Sequence, residues 1–376
     1  MKFNMNMTID ELVLLFEEKA RRLLEGCRVT AHDGTVLYTP DGMGNYKGLW
    51  CRDFAYMAEY AGDLIPDGHI KGCIEYLLRG TRESDGWICD WRSASGVPSY
   101  SPVGQANLDN APFLLFAIDA CLSRMDKVDA LAWFGRWQKL AAQGLKCLPL
   151  SPAGLVWNDP EEPHSPYGFT DCIGKTGELF MESVLYWRAC GVLAKWYAAG
   201  KQMEEALDFT GKAEITRQAA ARFRDEATGM FYAATRDCRQ LDVWGSAYAA
   251  YAGFLSDSEA DMVADYFINN YEQVVFRGQV RHLPRGEYWD RLLKDIDRED
   301  YQNGAYWAAP AGWVAWVIAR KDPELALRML NDLARCFIDH GVFECVNVNL
   351  VKLDKYVASA VNPFAAAQRL RSGQLN

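Results

Sequence analysis

The sequence predicts an all-α fold, an (α/α)6 toroid in which six outer helices enclose six inner helices. Three observations predict it. Apolar residues recur at helical spacing along nearly the whole chain. Helices with one charged face alternate with helices that are apolar or small-residue nearly all round. Short connections alternate with long ones, so that helices pair as antiparallel neighbours.

Helix starts are marked by capping sequences. Thr8-Ile9-Asp10-Glu11 is a capping box at the start of an amphipathic helix, and residues 256–259 form another. Asp322-Pro323 places a capping residue before a proline at the first helical position. With similar signals we predict helices at 8–25, 53–63, 67–79, 107–122, 126–143, 177–198, 201–225, 242–254, 257–269, 302–319, 323–337 and 358–371.

The composition of these helices assigns them to two layers. The helices at 8–25, 201–225 and 323–337 carry a charged outer face, which is typical of an outer layer. A helix without a polar face must be covered on all sides. The helices at 242–254, 302–319 and 358–371 are of this kind, and we place them in the inner layer.

The connections divide the barrel into two faces. Those at 64–66, 199–200 and 320–322 are short, whereas those leading into the inner helices run from 16 residues (226–241) to 33 residues (144–176). The long loops should therefore gather around the N-termini of the inner helices. Residues 29–38, with a turn at His32-Asp33-Gly34, and residues 230–234 are predicted to form small β-hairpins there. We expect one catalytic domain, residues 1–376.

Composition excludes several classes of protein. A net charge of −10 without a basic run argues against nucleic acid and anionic membranes as partners. The N-terminus lacks the pattern of a signal peptide, and the longest charge-free apolar stretch, 305–319, is too short to span a bilayer. Eleven scattered cysteines without a CxxC pair indicate reduced thiols and a cytoplasmic location. With only five histidines we expect no metal site, and we expect no cofactor.

The long loops combine aromatic residues with carboxylates, and six of the 13 tryptophans lie in or beside them. Sugars are bound by this mixture, because aromatic rings cover the C–H face of a pyranose and charged groups pair with its hydroxyls. The segments concerned are 49–53, 85–92, 107–110, 167–171, 287–289, 301–304 and 341–344.

These segments resemble the motifs of a known superfamily. Trp50-Cys51-Arg52-Asp53 resembles the W-x-R-D signature of the six-hairpin glycosidases, which include trehalases, processing glucosidases, neutral invertases and debranching enzymes. Residues 85–87 and 108–110 fall where those enzymes carry further substrate loops. Residues 301–307 resemble their Y-x-N-G-x-x-W segment, and Phe343-Glu344 resembles their late glutamate base. Residues 168–172 replace the G-W-D-x-S acid motif of several relatives, with one inserted residue and no serine.

We predict Asp171 and Glu344 as the catalytic pair. They come from different long loops, as the separation of about 6.5–9.5 Å in inverting glycosidases requires. Their order matches the resemblance, in which a mid-chain acid precedes a late base. Tyr167 and Phe169 offer Asp171 an apolar surround that favours a protonated acid. Reserve candidates are Glu178, Glu287 and His282. The predicted substrate-binding residues are Trp50, Arg52, Asp53, Trp87, Asp109, Tyr301, Asn303 and Trp307.

The resemblance implies a glycoside hydrolase, which we expect to be an exo-acting, inverting α-glycosidase. Its partner would be a small carbohydrate, and the protein would be a monomer or a small homo-oligomer. An epimerase of the acylglucosamine type is the main alternative, and it would depend on His164 and His282. An unsaturated uronyl hydrolase is less favoured because no dense Arg/Lys group is present. A non-catalytic carbohydrate-binding module would lack two opposed carboxylates.

Overall fold

The computed structural model describes residues 6–101, 103 and 105–373. In chain order its helices are α1 (Ile9–Gly26), α2 (Cys51–Ala61), α3 (Asp67–Leu78), α4 (Asn110–Leu122), α5 (Lys127–Lys146), α6 (Phe180–Ala199), α7 (Met203–Ala219), α8 (Val243–Tyr251), α9 (Asp257–Asn269), α10 (Tyr271–Val274), α11 (Ala311–Ala319), α12 (Pro323–Asp339) and α13 (Ala358–Arg371).

Six of these helices form a closed inner ring within the described part of the chain. Helices α2, α4, α6, α8, α11 and α13 each pack against the next, and α13 packs back against α2. All nine residues of α8 and all nine of α11 are buried, as expected for helices without a polar face. The predicted inner layer is confirmed.

The outer helices α1, α3, α5, α7, α9 and α12 pack on this ring. Helix α12 has an apolar stripe that includes Leu325, Met329 and Phe337, and Asp322 caps its N-terminus by accepting a hydrogen bond from the Leu325 amide. The capping boxes at Thr8 and Ser256 form as predicted. Five of the inner helices lead into an outer helix through a short connection, for example residues 200–202 between α6 and α7, and the sixth inner helix, α13, packs against α1.

The long loops contain short antiparallel strands. These are β1 (Arg28–Thr30) with β2 (Val36–Tyr38), β3 (Gly48–Trp50) with β4 (Trp91–Ser93) and β5 (Pro98–Ser99), β6 (Trp157–Asn158) with β7 (Gly177–Glu178), β8 (Val275–Phe276) with β9 (Gln279–Val280), and β10 (Phe343–Asn347) with β11 (Leu350–Asp354). The hairpin predicted at 29–38 is present, with Val29 opposite Leu37.

The following predictions of local structure are wrong. Residues 302–310 precede α11 as turns and isolated bridges, because Pro310 is the residue from which the helix starts. Glu178 lies in β7 and not in α6. Residues 230–234 form no hairpin of their own, because Phe231, Tyr232 and Ala234 bridge to three different segments. No helix in the described ranges is both long and apolar enough to cross a membrane.

Candidate active site

A cavity with a volume of about 940 Å³ lies among the long loops, beside Glu344. It is lined by residues from the loops that precede α2, α6, α11 and α13, which places it at the N-terminal face of the inner ring. Its lining residues are Tyr46, Cys172, Lys294, Asp295, Ile296, Asp297, Asp300, Tyr301, Glu344, Val351, Lys352 and Leu353. A volume of this size suits a small-molecule ligand.

Glu344 lies on β10, with 2% of its surface exposed. Its Oε1 accepts two hydrogen bonds, from the Tyr46 hydroxyl at 3.0 Å and from the Tyr301 hydroxyl at 3.2 Å. Burial is the main cause that raises the pKa of Glu344 to about 8, and the nearby charges of Asp53 and Asp171 act in the same direction. The two tyrosine hydrogen bonds act in the opposite direction, because they stabilise the ionised form.

Asp171 directly follows a 3-10 turn, Gly168–Thr170, in the loop before α6. Its Oδ1 accepts a hydrogen bond from Gln302 Nε2 at 2.7 Å. Burial raises the pKa of this carboxyl, and the Gln302 hydrogen bond lowers it. The next residue, Cys172, lines the cavity. Asp171 and Glu344 are thus brought into one region, each held by a hydrogen bond from the 301–302 segment.

Arg52 is buried among aspartates. Its Nε lies 2.6 Å from Asp109 Oδ2, and one Nη lies 3.2 Å from both Asp109 Oδ1 and Asp90 Oδ1. Asp53 is farther, at 4.0 Å. Burial raises the pKa of Asp90 to about 7 and that of Asp53 to about 6, while the charge of Arg52 lowers both. The two hydrogen bonds to Asp109 fix the orientation of the guanidinium group.

Gly168 contacts this charged cluster and begins the turn that leads to Asp171. Its amide donates to Asp109 Oδ2 at 2.9 Å. A Cβ atom at this position would lie 1.4 Å from Arg52 Cζ, so the guanidinium group occupies the space of a side chain. Only glycine therefore allows the Gly168–Thr170 turn to pack against Arg52.

Tyr301 lies on a backbone turn with an unusual conformation. Its φ of +39° is in the left-handed region, as is that of Glu299 at +64°. Asn303 donates a hydrogen bond to the Ile296 carbonyl and accepts one from the Trp289 amide, which anchors the cavity wall at 294–300. Left-handed non-glycine residues are costly, and they persist where the surroundings hold them in place for function.

The predicted aromatic residues are placed at different depths. Trp307 is fully buried and donates from Nε1 to the Tyr301 carbonyl at 3.3 Å. Trp50 lies behind Tyr46, with ring centroids 5.1 Å apart in an edge-on contact. Asp53 accepts a hydrogen bond from the Tyr356 hydroxyl at 2.6 Å. Trp87 stacks on His164. Of the eight predicted substrate-binding residues, Tyr301 is the one that lines the described cavity.

The reserve candidates lie outside the cavity lining in the described residues. Glu178 is bound by Arg222 at 2.9 Å, and Glu287 is exposed. His282 is buried against the Trp244 ring, with centroids 3.9 Å apart, and burial lowers its pKa well below the usual range. The pKa of His164 is lowered by burial as well. An epimerase needs histidines that titrate near neutral pH. The burial of His282 and His164, which lowers the pKa of both, therefore gives the epimerase alternative little support.

Three residues of this region were not among the sequence-based candidates: Tyr46, Asp90 and Gln302. Tyr46 precedes Trp50 by four residues, and Gln302 lies between two predicted site residues. Asp90 is fully buried, and its Oδ2 has no hydrogen-bond partner within the described chain. No group of His, Cys, Asp or Glu that could hold a metal ion is found among the described residues.

Comparison with known proteins bears on the fold. No family model matches the sequence, and no curated protein does. Among solved structures, the GH63 mannosylglycerate hydrolase from Thermus thermophilus in complex with glucose is similar over 93% of this chain and 99% of that chain, with a TM-score of 0.68 and 11% identity. A rhamnosidase from Klebsiella oxytoca with rhamnose bound is similar over 98% of this chain and 65% of that chain, with a TM-score of 0.70 and 11% identity.

A glucoamylase from Saccharomycopsis fibuligera is similar over 100% of this chain and 99% of that chain, with a TM-score of 0.64 and 11% identity. This chain has the fold of these glycosidases. At 11% identity the likeness concerns the path of the backbone, and it confirms the predicted (α/α)6 toroid with its inner and outer rings.

Proposed function

We propose that this protein is a glycoside hydrolase that cleaves a short oligosaccharide or glycoside with inversion at the anomeric carbon. The observation that carries the proposal is the pair of carboxyl groups at one cavity, Glu344 in its lining and Asp171 next to the lining residue Cys172. They come from different loops of a toroid whose solved counterparts include three glycosidases. Those proteins are named for different sugars, so their names do not assign a sugar here.

The proposed reaction uses the two carboxyl groups in opposite roles. Asp171, whose pKa is raised by burial, donates its proton to the glycosidic oxygen as the bond to the anomeric carbon breaks. Glu344 takes a proton from a water molecule, whose oxygen forms the new bond from the opposite face of the ring. The products are a sugar of inverted configuration and the released alcohol. Asp171 has lost one proton and Glu344 has gained one, and exchange with solvent restores both groups.

The Tyr46 and Tyr301 hydroxyls support the base role of Glu344. Both donate to the same oxygen, Oε1, which leaves Oε2 for the attacking water. These two hydrogen bonds stabilise the ionised form, and they oppose the burial that raises the pKa of Glu344 to about 8. The substrate would enter between the cavity wall at 294–300 and the β10–β11 hairpin. Exo action on an α-linked substrate remains part of the proposal.

The cellular setting is also part of the proposal. All eleven cysteines are free, and ten of them are buried. This agrees with a reducing compartment such as the cytoplasm. The proposed enzyme is one catalytic domain that works as a monomer or a small homo-oligomer, which sedimentation equilibrium of the purified protein would measure.

The test is a hydrolysis screen against aryl glycosides and disaccharides of both anomeric configurations. On any substrate that is cleaved, Asp171→Asn and Glu344→Gln should each lower kcat by about 10²-fold or more, with little change in Tm. Glu178→Gln is the matched control and should keep the wild-type kcat, because Glu178 is bound to Arg222 outside the cavity. Absence of hydrolysis and of sugar binding in a well-folded preparation would contradict the proposal.

A further inference from the structure

Two consecutive side chains reach the two proposed catalytic carboxyl groups. Tyr301 donates to Glu344 Oε1 at 3.2 Å, and Gln302 donates to Asp171 Oδ1 at 2.7 Å. Both residues belong to the turn with the left-handed Tyr301, which is closed by a backbone bridge between Asp300 and Asn303. One short turn therefore contacts both carboxyl groups.

The orientation of the Gln302 amide is fixed by its neighbours. Gln302 is fully buried, and its Oε1 accepts a hydrogen bond from the Cys172 backbone N–H at 2.9 Å. A backbone N–H can only donate, so the amide oxygen must face Cys172. The NH2 group then faces the Gly168 carbonyl, at 3.4 Å, and Asp171 Oδ1. A flipped amide would place its NH2 against the Cys172 N–H.

We propose that Gln302 is the positioning residue of Asp171 and selects which of its oxygens carries the proton. Because the amide NH2 always donates to Oδ1, that oxygen stays an acceptor, and the transferable proton resides on Oδ2. The inference rests on the proposed function, in which Asp171 donates a proton. A buried glutamine with a purely structural role would hold the loops together and leave the titration of Asp171 unchanged.

Gln302→Glu tests the proposal with a minimal change. The new carboxylate retains an acceptor for the Cys172 N–H, but it places an acceptor where the NH2 group was. Two facing carboxyl oxygens must share a proton, so the Asp171 carboxyl keeps its proton to higher pH. We expect kcat to fall about 10- to 100-fold, because the proton is misplaced, and the high-pH limb of the kcat profile to move to higher pH.

Gln302→Leu provides a second variant in case the buried charge impairs folding, which circular dichroism would show. It removes the donor to Asp171, whose hydrogen bond lowers the pKa of that carboxyl. The high-pH limb of the kcat profile should therefore again move to higher pH. Gln279→Glu is the matched control, because Gln279 is also a buried glutamine and its amide contacts Cys336 outside the site. The control should keep the wild-type pH profile.

Carbon-13 NMR of aspartate-labelled protein separates this inference from the proposed function. The Asp171 carboxyl resonance, assigned by its loss in Asp171→Asn, should titrate at higher pH in Gln302→Glu and Gln302→Leu than in the wild type. This holds even if the wild type hydrolyses nothing, in which case only the proposed function fails. An unchanged Asp171 titration in both folded Gln302 variants would overturn the positioning role, whatever happens to kcat.

Discussion

At the scale of single residues, Arg52 determines the charge balance of the buried aspartate cluster next to the Gly168–Thr170 turn. It is 3% exposed and pairs with Asp109 and Asp90, with Asp53 at 4.0 Å. One buried cation is thus shared among three carboxyl groups. The pKa values of Asp53 and Asp90, about 6 and about 7, remain above the usual range, because burial outweighs the charge of Arg52.

Arg52→Lys should lower kcat/KM about 10- to 100-fold while the protein stays folded. Lysine keeps the charge but cannot make the two parallel hydrogen bonds to Asp109, so the Gly168–Thr170 turn beside Asp171 loses its support. Steady-state kinetics would measure this. Arg92→Lys is the control, because Arg92 lies on β4 and its hydrogen bonds in the described structure go to the backbone carbonyls of Gly96 and Tyr76. Equal kcat/KM for Arg52→Lys and wild type would remove Arg52 from the site.

The pKa of Glu344 predicts the pH dependence of the reaction. A general base must be ionised, and a group with a pKa of about 8 is mostly protonated at pH 7. The rising limb of kcat/KM should therefore lie near pH 8, where Glu344 ionises, and the falling limb should follow at higher pH, where Asp171 loses its proton. Tyr46→Phe removes a donor that favours the ionised form, so the pKa of Glu344 rises and the rising limb moves to higher pH.

The control for this profile is Tyr232→Phe, because the Tyr232 hydroxyl donates to Asp225 outside the cavity. Its profile should match the wild type. If Glu344 were the proton donor, kcat/KM would instead fall as the pH passed 8. If Tyr46→Phe shifted the falling limb and left the rising limb in place, the two assigned roles would be reversed.

At the scale of elements, the turn at 299–304 has a strained backbone and contacts both proposed catalytic carboxyl groups. Gly304 has a φ of +135°, and a Cβ atom there would lie 2.8 Å from Glu299 Cα and N. Gly304→Ala should therefore displace the turn, lowering the stability by about 1–3 kcal/mol and kcat by about 10-fold. Denaturant unfolding and kinetics would measure the two effects.

Gly253→Ala separates backbone strain from displacement of the site. Gly253 also has a positive φ, +73°, but a Cβ atom there would meet nothing within 4 Å. It should lose stability without losing kcat. An active Gly304→Ala with wild-type kcat would show that the position of Tyr301 and Gln302 does not matter.

The elements differ in how well the sequence predicts them. Inner and outer helices could be predicted because helical period and capping are local properties. The start of α11 could not be predicted. Several residues at 302–310 are apolar and continue the helix pattern, but their backbone forms turns and isolated bridges at the candidate site. Glu344 and Asp171 were predicted from their loops. Their hydrogen-bond partners Tyr46 and Gln302 were missed, because those contacts join residues 298 and 131 positions apart and form only when the ring closes.

At the scale of the whole molecule, the closed ring of inner helices brings distant loops together. Asp171 precedes α6 and Glu344 precedes α13, and the packing of α13 against α2 adds Tyr46 and Arg52 to the same region. The ring is held by the buried faces of all six inner helices. A rigid frame of this kind keeps loop residues in a fixed geometry, as opposed acid and base groups require.

The central claim is that Asp171 and Glu344 act from opposite faces of the sugar as acid and base. Proton NMR of the first-formed product tests it most directly, because the anomeric proton reports its configuration before mutarotation. With wild-type enzyme and a cleaved aryl α-glycoside, we predict that the β-anomer appears first. A first-formed α-anomer would show retention and would contradict the claim.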